Sequence, residues 1–77
     1  MDNNMKEVFD ALTKTVQLCR GYECIRSIEP KTVEDPFGNI VEIAGITYTD
    51  GYQATVDITG DSGMGAVMDV SRYLAFH

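Results

Sequence analysis

Seventy-seven residues carry twelve acids against six bases and one histidine, a formal charge of −6, with 44% hydrophobic and 23% charged side chains. That is enough chain for a single domain over residues 1–77, and the apolar share argues against disorder. The charge disfavours work that depends on neutralising phosphates. No apolar run approaches the roughly 20 residues of a bilayer span, and the polar start Met1-Asp2-Asn3-Asn4 lacks a leader pattern. A cytoplasmic protein with neither a nucleic-acid nor a membrane partner is expected.

The charge is unevenly spread. Residues 1–21 balance three acids with three bases, residues 22–59 set seven acids against two bases, and residues 60–77 set two acids against one. The acidity therefore belongs to the middle of the chain, where a solvated face is its simplest use.

The first element is a helix. Asn4 followed by Glu7 has the spacing of a capping box, and Met5, Val8, Phe9, Leu12, Val16 and Cys19 recur on one stripe. Gly21 supplies a left-handed stop, with Arg20 beside it near the C-terminal end of the dipole. A first strand over about 22–29 follows, closed by Pro30, which cannot donate to a ladder. Asp35-Pro36-Phe37-Gly38-Asn39 reads as a turn.

The second strand, about 40–48, places Val41 and Ile43 on one phase and Ile46 and Tyr48 on the other. A bulge at Ala44-Gly45 is the expected cause. The third strand alternates cleanly, with Tyr52, Ala54, Val56 and Ile58 on one face and Gln53, Thr55, Asp57 and Thr59 on the other. A three-residue Thr49-Asp50-Gly51 loop with Gly51 left-handed pairs Tyr48 with Tyr52 and Ile46 with Ala54. Carried through the bulge, that register sets Ile43 opposite Val56 and Val41 opposite Ile58, gathering the large apolar residues on one face.

The last helix starts near Asp61 or Ser62. Val67, Val70 and Leu74, with Ala66 and Tyr73, form its core stripe, while Met64, Met68, Ala75 and Phe76 fall partly off it. Asp69 and Arg72 are almost its only charges, so more of the circumference is apolar than a monomer's surface helix needs.

Few residues suit catalysis or metal binding. Gly60-Asp61-Ser62-Gly63 resembles the tetrapeptide around the nucleophile of chymotrypsin-like proteases, but the only histidine is His77, and a nucleophilic serine needs an oriented base. The same residues are better used as a helix cap and a sharp turn. The glycines at 60, 63 and 65 lack the lysine of a phosphate-binding loop, and Asp61 repels phosphate. Glu34 and Asp35 are adjacent in a turn, and Glu42 and Asp57 are placed to face each other across the hairpin as solvated charges. Cys19 and Cys24 read as small core hydrophobes, and two thiols with a terminal histidine cannot make a structural zinc site.

The order helix–strand–strand–strand–helix is similar to that of double-stranded-RNA-binding domains. The resemblance implies an RNA-binding role carried by lysines at the start of the second helix. Here Asp61-Ser62-Gly63-Met64-Gly65-Ala66 contains no base and one acid.

These readings converge on a two-layer α+β fold: a three-stranded antiparallel sheet with both helices on one face. No catalytic, cofactor or metal site is expected. The expected function is non-enzymatic protein binding, with a homodimer through Met64, Met68, Arg72 and Phe76 as its form, suited to a small bacterial or phage regulatory or inhibitory protein. A nucleic-acid-binding or nucleic-acid-mimic module is the alternative.

Overall fold

The computed structural model describes residues 3–76. In chain order it contains α1 (Asn3–Gln17), β1 (Ile25–Glu34), β2 (Ile40–Tyr48), β3 (Gln53–Asp57) and α2 (Gly63–Phe76). The strands form one antiparallel sheet in the order β1-β2-β3, with α1 against β1 and α2 against β3. This is the α+β architecture expected from the pattern of elements. Between the layers lie Met5, Phe9, Ile25, Ile28, Ala44, Ile46, Ala54, Ile58, Ala66, Val70 and Leu74.

Helix α1 buries Met5 and Phe9 and half-buries Val8, Leu12 and Val16, as its periodicity predicts. Asn4 lies inside the helix rather than ahead of it. The helix stops at Gln17, where Leu18 N and Cys19 N donate to Thr15 O and Val16 O and tighten the last turn. Helical spacing then no longer governs Cys19. Both Cys19 and Cys24 are exposed thiols, not core residues; Cys24 sits in the turn that leads into β1. Gly21 is left-handed as expected, φ +94°, but it lies in the turn four residues beyond the end of α1 and does not stop the helix.

Two corrections concern β1. It begins at Ile25, and Pro30 lies within it instead of closing it. An edge strand leaves alternate main-chain groups facing away from the sheet, and a proline fits where its nitrogen points outward. Ile28 N donates to Thr13 Oγ1 on α1 (3.0 Å), so the main-chain N–H of Ile28 points away from β2. Pro30, two residues on, has the same orientation.

The bulge also lies elsewhere. The pairing of β1 with β2 slips between Ile25 and Ser27, leaving Arg26 as the extra residue. Ile25 and Ile28, three apart, are consequently both buried, and Gln17 Nε2 donates to the freed carbonyls of Ile25 and Arg26. Strand β2 runs without a break through Ala44 and Gly45, opposite Val56 and Thr55. Ile43 therefore pairs with Asp57, not Val56, and Val41 faces Val33 across β1. Both lie on the sheet's helix-free face. Gly45 serves close approach instead: a Cβ there would stand 3.2 Å from Cε of Lys31.

The β2–β3 hairpin follows the expected register. Gly51 N donates to Tyr48 O and Tyr48 N to Tyr52 O, Ile46 pairs with Ala54, and Gly51 has φ +93°. Asp50 Oδ1 accepts from Tyr52 N and rigidifies the loop. Tyr52 is mostly exposed and tilts against Tyr48, ring centroids 5.6 Å apart. The β1–β2 ribbon continues past β3: Val33↔Val41 and Glu34↔Ile40 have no third-strand neighbour.

Candidate interaction surface

Ser62 sets the start of α2. Its side-chain oxygen accepts from Gly65 N (3.2 Å) and its carbonyl from Ala66 N (2.9 Å), which is N-cap geometry. From that start, Ala66, Val70 and Leu74 turn into the core and are buried, with Val67 and Tyr73 half-buried. At about 100° per residue, the opposite face belongs to Met64, Met68, Arg72 and Phe76, spaced by four, with Ser71 and Ala75 beside them. Met64 is 71%, Met68 54% and Phe76 80% exposed. The sheet and α1 leave these three side chains uncovered.

Arg72 is the one cation on this face. Its Nη1 lies 3.5 Å from Asp69 Oδ1, an exposed pair of little energetic weight. Between α2 and β3 runs a groove lined by Val56, Asp57, Asp69, Arg72, Tyr73 and Phe76, so the stripe continues toward the free side of β3.

Beside it lies a carboxyl pair that the sequence did not announce. The Asp61 side chain rests over Gly65, where a Cβ would meet its Cβ and Cγ at 3.5 Å, and reaches toward Asp69 one turn further on. A hydrogen bond to Asp69 requires a shared proton, and this raises Asp61 above the ordinary aspartate value. Desolvation and the negative charges of Asp69, Asp57 and Glu42 act in the same direction. Asp57 and Glu42 do not face each other as expected: with β2 unbulged, Asp57 opposes Ile43 and Glu42 O accepts from Ile58 N. The Asp57 carboxylate instead accepts from Thr59 N, which holds its pKa down.

A second exposed apolar group also escaped sequence reading. Phe37 (88% exposed), Ile40 and Val33 are exposed at the far end of the β1–β2 ribbon, with Val33 and Ile40 on opposite faces of it. The tip is well ordered, with Asp35 Oδ1 accepting from Phe37 N and Asn39 N. These bonds, that from Asn39 N foremost, lower the Asp35 pKa. The aromatic residue inside the turn was the available signal.

Of the thiols, Cys19 donates weakly to Thr15 O and lines a shallow cleft with Val16, Tyr22, Ser71, Leu74 and Ala75. Tyr22 OH donates to Leu74 O across it. Among the described residues, no group of three or more His, Cys, Asp or Glu side chains is placed to hold a metal ion, and no helix is long and apolar enough to cross a membrane. His77 lies outside the described residues. No family model matches this chain, and no curated protein or solved structure does either.

Proposed function

We propose that this chain is a non-enzymatic protein-interaction module that self-associates through the outward face of α2. One observation carries the reading: Met64, Met68 and Phe76 stand in solvent on a single stripe, directly opposite the buried Ala66, Val70 and Leu74. A helix face meant for water carries charges, whereas this one carries only Arg72. Methionine and phenylalanine suit an adaptable contact, and arginine is the cation most favoured at interfaces.

A second copy of the chain is the occupant that the patch accommodates on its own terms. Packed antiparallel about its midpoint, the stripe sets Met64 against Phe76 and Met68 against the aliphatic stem of Arg72. A parallel arrangement would oppose the two Arg72 side chains, so charge favours the antiparallel one. The exposed, unpaired thiols of Cys19 and Cys24 suit a reducing, cytoplasmic setting. A binding role of this kind fits a small regulatory or inhibitory protein. The test is the molar mass in solution, by light scattering on a size-exclusion column, for the native chain and for Met68→Glu with Phe76→Glu: a dimer for the first and a folded monomer for the second.

A further inference from the structure

Building on that self-associating reading, we propose that the second copy joins along β3, antiparallel about Thr55, so that the two sheets become one and the two α2 helices lie side by side on the same face. The two edges of the sheet differ. On β1, Thr13 takes the outward N–H of Ile28, Gln17 takes the carbonyls of Ile25 and Arg26, and Pro30 has no N–H to offer. These are the devices by which proteins block an edge.

At either end of β3, Tyr52 O and Ile58 N bond to Tyr48 N and Glu42 O of β2, each at 2.9 Å. Alternation therefore turns the main chain of Gln53, Thr55 and Asp57 outward. Among the described residues no strand pairs with that side. It carries no proline and no register slip, and its one charge is Asp57. Edge β1 is blocked along its first half, as far as Pro30, whereas β3 is open along its whole length.

The open edge is self-complementary. With the two-fold axis at Thr55, each Thr55 exchanges both main-chain hydrogen bonds with its counterpart, and Gln53 does the same with Asp57 of the second copy. On the helix-free face threonine meets threonine, and the Gln53 amide can donate to the Asp57 carboxylate; on the helix face Ala54 meets Val56. Such cross-strand pairs are favourable. An axis at Asp57 would oppose two carboxylates, which repels, and an axis at Gln53 would leave Asp57 and Val56 without partners. The groove lined by Val56, Asp57, Asp69, Arg72, Tyr73 and Phe76 lies between this edge and α2. The same approach therefore brings the Arg72 and Phe76 side of each α2 toward the antiparallel α2 of the second copy beneath the joined sheet. The contact is isologous and closed, a strand addition in which main-chain bonds supply affinity.

The test uses the whole chain as the native protein and as Thr55→Pro, Thr55→Lys and Met68→Glu, by sedimentation over concentrations up to the order of several hundred micromolar. Hydrogen exchange of the native chain at low and high concentration accompanies it. Proline at position 55 removes one interchain donor from each copy, and lysine opposes two charges at the axis. Either substitution should weaken the dimer roughly tenfold or more, with the circular dichroism of the monomer retained because this N–H faces solvent. The amides of Gln53, Thr55 and Asp57 should slow as dimer forms. If Thr55→Pro perturbs the fold, Thr55→Lys and the exchange data decide. A native dimer indifferent to Thr55→Lys, with those amides unprotected, overturns the β3 pairing; its dissociation by Met68→Glu would leave the α2 reading standing. A native chain that stays monomeric throughout overturns both.

Discussion

Replacing Met68 and Phe76 together with glutamate separates a contact surface from a core. Burying a Met or Phe side chain fully is worth about 1.5–3 kcal/mol. Met68 keeps 54% and Phe76 80% of its surface exposed, so association could still gain about 2–4 kcal/mol per copy from the two, or about 4–8 kcal/mol per dimer. Met64 raises the total for the patch to about 6–12 kcal/mol. Against this stands an association cost of at least about 4 kcal/mol, leaving no more than about 8 kcal/mol, the equivalent of a micromolar Kd. The native dimer should therefore be no tighter than micromolar and be lost entirely in the double variant. Because both side chains already face water, the monomer's urea midpoint should scarcely move, as for most surface changes of about ±0.5 kcal/mol. Light scattering and urea unfolding on the same samples check both halves. A double variant that unfolds, or whose stability falls by several kcal/mol, would show that these side chains are core residues and sink the argument.

Gly51→Val should cost about 1–2 kcal/mol in unfolding free energy, all of it backbone strain, because Gly51 has φ +93° and nothing within 4 Å of a Cβ built there; a neutral result would contradict the three-residue loop. The raised pKa of Asp61 means that its contribution to stability is present below its unfolded value and disappears as pH rises through the raised one. Asp61→Asn, whose amide can donate to Asp69 without a proton, should accordingly raise Tm at neutral pH and leave it unchanged in acid, and carboxyl NMR titration should find Asp61 above its usual range. At physiological salt, fluorescence anisotropy should detect no binding to duplex RNA or DNA, given the −6 charge and a base-free first turn of α2; salt-sensitive micromolar binding would refute the charge argument.

Local chemistry announces itself in a chain of this size. The stripe from Met5 to Val16, the turn at Asp35–Asn39, the Thr49-Asp50-Gly51 loop and the serine cap of α2 depend on residues within a few positions of one another, and periodicity and turn preference were sufficient to place them. The excess of apolar residues on the last helix was visible in the same way, since Met64, Met68 and Phe76 cannot share a face with Ala66, Val70 and Leu74. What lay beyond reach depended on partners distant in the chain. The bulge at Arg26 frees carbonyls that Gln17 satisfies, and the Lys31 side chain crosses closely over Gly45; neither fact is encoded near the residue that it explains. Once the bulge moved from β2 to β1, Val41 and Ile43 changed faces, because side chains alternate with a period of two and a slip of one inverts them all. Pro30 looked like a stop until the sheet order made β1 an edge with its proline nitrogen facing outward. Which edge is guarded, and which is left open at Gln53, Thr55 and Asp57, was decided only when three strands took their places side by side.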